Sequence, residues 1–120
     1  SPQVKLVKHL ADNLPVNLSS VYFVNSGSEA IEGAMKLAKR FTGRTEIVSF
    51  KNGYHGSTQG SLSIMGNEEF KNAFRPLLPD TKQIEFNNTA DFSAVLFFGK
   101  LFFLYRENFL RQDKFAFDAG

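Results

Sequence analysis

The sequence contains no cysteine, which excludes disulfide bonds and thiolate zinc sites. Its histidines, His9 and His55, fall in different predicted elements, so we expect no metal site. The net charge is only +2 and no long lysine and arginine cluster occurs, which argues against nucleic acid as a partner. No apolar run reaches the ~20 residues that cross a bilayer. Because no signal peptide is visible at Ser1, we expect a cytoplasmic location and no membrane.

The composition is that of an ordinary globular domain. The 120 residues are 42% hydrophobic and 22% charged. Outside a central stretch from residue 21 to residue 60, apolar spacing and turn residues predict four short elements. They are a helix over residues 3 to 14 with Pro2 in its first turn, a loosened helix over residues 57 to 66 capped by Ser57 or Thr58, a helical turn over residues 68 to 74, and a strand over residues 84 to 86.

The central stretch begins with a strand, a turn and a helix. The apolar run from Val21 to Val24 is β-branched and aromatic and is too short for a helix. A turn follows, in which Ser26 caps the next helix while Glu29 reaches back to the Ser26 amide. Gly43 stands where a helix end favours a left-handed residue. The helix is predicted to place its apolar residues on one face, namely Ala30, Ala34, Leu37 with Ala38, and Phe41.

This turn has a possible chemical use. Free N–H groups and the positive dipole end at a helix N-terminus attract anions. Gly27 lets a phosphate approach the backbone, while Ser26 and Ser28 add hydroxyl donors. The alternative is an ordinary capped turn that binds nothing, and from this motif alone it is favoured. Neither G-x-G-x-x-G nor a P-loop is present.

A second loop changes that balance. Residues 46 to 50 read as a strand, and the loop after it places Tyr54 and His55 between Gly53 and Gly56. The flanking glycines allow a tight fold that presents both rings outward. Loops after parallel strands converge on one crevice, so a phosphate turn and an aromatic platform are predicted to hold a flat, phosphorylated cofactor together.

The motifs resemble those of the class III aminotransferases, which are pyridoxal-phosphate enzymes of fold type I. The resemblance runs from about Ser1 to about Asp91. It is carried, in order, by Asn25-Ser26-Gly27-Ser28-Glu29-Ala30, Lys36-Leu37-Ala38-Lys39, Thr42-Gly43-Arg44 and Gly53-Tyr54-His55-Gly56.

The resemblance implies a fold, a cofactor and site residues. Residues 1–91 are expected to be part of the cofactor-binding large domain, a three-layer α/β/α fragment. Gly27 and Ser28, with Ser26 adjacent, correspond to residues that bind the phosphate of pyridoxal 5'-phosphate. Tyr54 corresponds to the residue that stacks on its pyridine ring, and His55 belongs to the same motif. The parent enzyme would transfer an amino group between an amine or amino acid and a 2-oxo acid, as a homodimer.

The chain departs from the family pattern at three places. Where the acetylornithine branch has an arginine that holds a substrate carboxylate, this chain has Ser57. The family's Schiff-base lysine, and the aspartate that pairs with the pyridine nitrogen, would fall beyond Gly120. No catalytic residue is therefore assigned, and the 120-residue chain alone is expected not to catalyse transamination.

The third departure is residues 92–120, where eight of the fourteen phenylalanines occur. We interpret this segment as an out-of-frame or otherwise foreign tail. It leaves open an alternative, in which the chain is a non-catalytic binding module that uses the phenylalanine-rich tail. A nucleotide or phosphosugar binder that uses the turn at Ser26 to Ser28 is a further possibility.

Overall fold

The computed structural model describes residues 1–18, residues 20–91 and the strand Phe103–Leu104. Helices and strands are mixed along the chain, which confirms the α/β class. The helices are α1 (Pro2–Asn13), α2 (Gly27–Thr42) and α3 (Gln59–Ser63), with single 3₁₀ turns at Glu68–Phe70 and Asn72–Phe74. The strands are β1 (Ile47–Phe50), β2 (Thr81–Ile84) and β3 (Phe103–Leu104). Apart from the β3 backbone, predictions for residues 92–120 lie outside the described residues.

The three strands form a parallel sheet in the order β2-β1-β3. In β1 and β2, Ile47 is opposite Thr81 and Phe50 is opposite Ile84. On the other side of β1, Val48 is opposite Phe103. The predicted strand at residues 46 to 50 is therefore confirmed and occupies the centre of the sheet. Its following loop leaves from the carboxyl edge, as the sequence indicated.

The strand predicted at residues 84 to 86 lies earlier in the chain. β2 covers Thr81–Ile84, and Ile84 is its last residue in register with β1. Beyond that pair, β1 turns away at Lys51, and Asn87 takes a positive φ of 59°. Strand ends are set by the partner strand, so the local alternation predicted the wrong residues.

The strand predicted at Val21 to Val24 is wrong. These residues have no strand assignment, and the Tyr22 side chain is 87% exposed. A strand exists only beside a partner, and both edges of β1 are already paired with β2 and β3. Propensity alone therefore did not make this run a strand among the described residues.

The core lies on both faces of β1. On one face, Ile47 packs with Met35 and Ala38 of α2 and with Ile64, which follows α3. On the opposite face, Val48 packs with Ile84. Successive residues of a strand point to opposite faces, which is why neighbouring residues of β1 belong to separate clusters. α2 therefore covers one face of the sheet, and the second helical layer of the expected three-layer arrangement stays a prediction.

The ends of α2 were predicted correctly, whereas only Ala34 and Ala38 of its predicted apolar face meet the sheet. Ser26 is the N-cap, and Gly43 ends the helix with a left-handed φ of 68°. The face that meets the sheet carries Met35 and Ala38, with Ile31 and Ala34 partly buried. Leu37 and Phe41, which the sequence placed in the apolar face, are 63% and 71% exposed. Both sets have helical spacing, and the position of Ile47 and Ile64 decides which set is buried.

α1 begins and ends close to its predicted limits. Ser1 is the N-cap, and Pro2 occupies the first turn. No residue of α1 is buried, and His9 is exposed, as the sequence indicated. The short helical segments at residues 57 to 66 and 68 to 74 are confirmed as α3 and the 3₁₀ turns. Among the described residues, no helix is long and apolar enough to cross a membrane.

The buried face of α2 can be tested by truncating one residue from each candidate face. Met35 is 3% exposed, so Met35→Ala is expected to lower the free energy of unfolding by about 2–5 kcal/mol. Leu37 is 63% exposed, and Leu37→Ala is expected to change it by about 0.5 kcal/mol or less. Urea unfolding of both variants would measure these changes. A larger loss for Leu37→Ala would restore the face predicted from the sequence.

Candidate functional site

The turn before α2 is held by side chains that cap the helix. Ser26 has an extended backbone, and its Oγ accepts a hydrogen bond from the Glu29 amide at 3.2 Å. The Glu29 carboxylate accepts from the Asn25 amide at 2.6 Å, one residue earlier than the predicted bond to Ser26. This corrects the predicted capping box.

The amides of Gly27 and Ser28 are the part of this turn that an anion can use. The first internal hydrogen bond of α2 runs from the Ala30 amide to the Ser26 carbonyl, at 3.1 Å. The Gly27 and Ser28 amides precede that bond and are orphan donors of the first turn. Among the described residues, no atom comes within 4 Å of a Cβ built on Gly27, so the space in front of that residue is open in this part of the chain.

The loop after β1 presents its two rings differently. Tyr54 is 47% exposed and meets Phe70 edge-to-face, with ring centroids 6.2 Å apart. His55 is buried, which corrects the prediction that both rings point outward. The imidazole folds back under the loop, and a Cβ on Gly53 would lie 2.9 Å from its Nε2. Because Gly53 has no side chain, the His55 ring can occupy the space beside it.

The turn and the loop touch each other. Gly56 has a φ of 122°, which favours glycine, and a Cβ there would lie 2.0 Å from the Ser28 Oγ. The Gly56 backbone therefore packs directly against Ser28. On the same side, the Ser61 hydroxyl donates to the Ser28 carbonyl at 3.2 Å. The structure thus brings together the two segments that the sequence linked only by analogy with parallel sheets.

Sequence reasoning missed one residue at this junction. Glu32 lies one turn after Ser28 in α2, and its Oε1 accepts hydrogen bonds from the Thr58 hydroxyl and from the amides of Gly60 and Ser61. The sequence showed only an acidic residue on a helix, which is usually a solvated one. Its partners are 26 to 29 residues away, so no local pattern could have identified them.

A small cavity of about 200 Å³ opens beside Tyr54. Its walls are mainly apolar, and none of its described lining residues is charged. The lining residues are Tyr54, Gly56, Ser57, Gln59, Leu62, Met65, Phe70 and Phe74. Tyr54 therefore borders this cavity, and Ser57 presents a neutral side chain to it.

The charged groups near the loop pair with each other. Lys51 donates to the Glu85 carboxylate at 2.7 Å, and this bond raises the pKa of Lys51. The hydrogen bond from Arg75 lowers the pKa of Glu68, and Lys71 adds to that effect. Lys71 is almost fully buried and donates to the Met65 carbonyl at 3.2 Å. These contacts hold the loop and the segment after α3 in place.

In residues 1–18 and 20–91, no group of three or more histidine, aspartate or glutamate side chains is arranged to hold a metal ion.

Comparison with known proteins identifies the family. The model of the family described as "Aminotransferase class-III" matches residues 1–95. Acetylornithine aminotransferase of Methanopyrus kandleri is 40% identical over 87 residues, which are 72% of this chain and 22% of that protein. Across this and the next three curated relatives, the chain spans only 10% to 25% of their length.

Solved structures agree with this match. An adenosylmethionine-8-amino-7-oxononanoate aminotransferase from Methanocaldococcus jannaschii aligns with a TM-score of 0.64 and 37% identity, over 71% of this chain and 21% of that one. An amine transaminase from an uncultivated Pseudomonas species, in a PLP-bound form, aligns with a TM-score of 0.56 and 30% identity, over 71% and 22%. The fold is therefore that of the fold-type-I transaminases, and the chain belongs to the class-III aminotransferase family.

Proposed function

We propose that residues 1–91 form part of the cofactor-binding domain of a pyridoxal-phosphate-dependent aminotransferase. The whole enzyme would transfer an amino group between an amine or amino acid and a 2-oxo acid. The family match and the names of the relatives support this activity. Because the chain spans about a fifth of the length of that relative, the activity is proposed for the whole protein to which these residues correspond.

The observation that carries the proposal is the contact between Ser28 and Gly56. It joins a helix N-terminus with open amides to a loop that carries a half-exposed aromatic ring. Pyridoxal phosphate needs both features, since it combines a phosphate with a flat ring. The open space in front of Gly27 fits a phosphate that approaches the backbone closely, so the residues present fit the cofactor.

Each segment has a separate role in this proposal. The amides of Gly27 and Ser28 donate to the phosphate, and the dipole of the 16-residue α2 favours its negative charge. The Ser26 Oγ accepts a hydrogen bond from the Glu29 amide, and this bond fixes the turn that carries the Gly27 and Ser28 amides. Tyr54 provides a face for the cofactor ring, and Phe70 orients that tyrosine by its edge-to-face contact.

His55 requires a different role from the one that its motif suggested. It is buried beneath the loop, and its amide donates to the Met65 sulfur at 3.1 Å. We propose that His55 supports the loop that carries Tyr54. Its direct contact with the cofactor stays a prediction from the resemblance.

The cofactor, when bound, supplies the electron sink for carbanion chemistry. The cavity beside Tyr54 would receive part of the amino substrate, and its apolar walls would exclude water from that side. Ser57 leaves that wall without a cation for a substrate carboxylate, so this position does not favour amino acids over simple amines. Homodimer assembly, a cytoplasmic location and the boundary between 1–91 and 92–120 stay predictions.

The phosphate site can be tested with Gly27→Ala. A Cβ at this position meets no protein atom within 4 Å, so the free energy of unfolding is expected to stay within about 0.5 kcal/mol of wild type. The same methyl group would intrude on the phosphate, and loss of a charge-assisted hydrogen bond predicts a roughly tenfold or greater fall in affinity for pyridoxal phosphate. Titration followed by cofactor absorbance would measure the dissociation constants.

Pyridoxal, which lacks the phosphate, is the matched control ligand for this titration. It should bind more weakly than pyridoxal phosphate and should be insensitive to the Gly27→Ala change. Equal affinity of the variant and the wild type for pyridoxal phosphate would contradict a phosphate at this turn. Displacement of the cofactor by ATP at similar concentrations would instead favour a nucleotide site.

The ring platform makes a second prediction. Tyr54→Phe keeps the aromatic face and is expected to keep the affinity, whereas Tyr54→Ala should lower it roughly two- to tenfold because stacking is lost. Tyr22→Ala is a suitable control, since Tyr22 is 87% exposed and lies outside the loop. The same titration measures all three variants. If Tyr54→Ala binds as well as Tyr54→Phe, the ring is not a platform.

A further inference from the structure

Glu32 binds the start of α3 from a different helix. Its Oε1 accepts hydrogen bonds from the Thr58 hydroxyl at 2.7 Å, the Gly60 amide at 2.8 Å and the Ser61 amide at 3.1 Å. The first amides of a helix lack internal partners. Thr58 is the N-cap of α3 but makes no side-chain capping bond within that helix. The Glu32 carboxylate therefore takes the place of a local cap.

The close approach of these segments depends on Gly60. A Cβ on this residue would lie 2.2 Å from the Glu32 Oε2 and 2.6 Å from its Oε1. Any side chain there would push the carboxylate away from the α3 amides. The glycine and the glutamate thus fit each other, although 28 residues separate them in the chain.

The same contacts lead back to the candidate site. Ser28 and Glu32 are four residues apart in α2 and so lie on the same side of the helix. Segment 56–61 is attached to that side at both ends. Gly56 packs on Ser28, and Ser61 bonds both the Glu32 carboxylate and the Ser28 carbonyl. Removing the Glu32 carboxylate would free the end of this segment while leaving the turn itself unchanged.

We propose that Glu32 is a positioning residue, which keeps the Gly27 and Ser28 amides at a fixed separation from the Tyr54 ring by binding the start of α3. The proposal rests on the proposed function, because the separation matters only for a ligand that uses both segments. A charged acceptor suits this role, since hydrogen bonds to an ionised carboxylate are shorter and stronger than neutral ones.

The negative charge of Glu32 has an opposing effect, because it lies one turn from the proposed phosphate site and repels a phosphate. Its three donors offset that charge locally. Glu32→Gln separates the two effects, since glutamine keeps the accepting oxygen and loses the charge. If positioning dominates, glutamine should preserve most of the affinity; if repulsion dominates, glutamine should bind the cofactor more tightly than wild type.

The test compares wild type with Glu32→Ala and Glu32→Gln in the full chain. The control is Lys36→Ala, an exposed position one turn further along α2. Glu32→Ala is expected to speed hydrogen exchange of the Gly60 and Ser61 amides at least tenfold and to lower the affinity for pyridoxal phosphate by about five- to tenfold, no more than Tyr54→Ala does. Glu32→Gln should stay within about threefold of wild type in both measurements, and Lys36→Ala should match wild type.

Thr58→Val provides a second variant if Glu32→Ala does not fold. It removes one donor to the carboxylate with little change of shape, and a roughly threefold loss of affinity is expected. Fast exchange at Gly60 and Ser61 with unchanged affinity would overturn the positioning role, as would binding by Glu32→Gln that is more than about threefold tighter than that of wild type. If wild type itself does not bind pyridoxal phosphate, the proposed function fails first. If wild type and Glu32→Ala bind pyridoxal phosphate with equal affinity, the role of Glu32 is refuted while the proposed function stands.

Discussion

The contact of the Gly56 backbone with the Ser28 side chain is the constraint on which the candidate site depends. No side chain larger than hydrogen fits at position 56, because the Ser28 hydroxyl already occupies that space. The loop after β1 must therefore cross the first turn of α2 at this point. The separation between the open amides and the Tyr54 ring follows from that crossing. Glu32 and Ser61 add hydrogen bonds to the same crossing.

β1, the central strand, connects the crossing of the loop over α2 to the hydrophobic core. Ile47 packs under α2, while Val48 packs on the opposite face with Ile84. Ser49 is fully buried, and its hydroxyl donates to the Ile64 carbonyl at 2.7 Å. This bond satisfies a polar group that would otherwise destabilise the interior, and it ties the segment after α3 to β1. The loop that bears Tyr54 is thus held by β1 where it begins and by α2 where Gly56 packs against Ser28.

The sequence motifs identified the family, whereas the packing around the candidate site was predicted only in part. Ser26 caps α2 as predicted, and the cofactor-binding roles of Ser26, Gly27, Ser28 and Tyr54 stay predictions. The predicted outward direction of the His55 ring was wrong, because glycines on both sides permit an inward fold as readily as an outward one. Glu32 was missed because its partners are distant in the chain and an isolated glutamate on a helix carries no signal.

The sequence by itself determined the features that depend on neighbouring residues. The caps at Ser26 and Gly43 and the first turn at Pro2 rest on local backbone geometry and hydrogen bonds. Only the tertiary structure decided the buried face of α2, the limits of β2 and the absence of a strand at residues 21 to 24. Each of these depends on a partner elsewhere in the chain, because a face is buried only against another surface and a strand is stable only beside another strand.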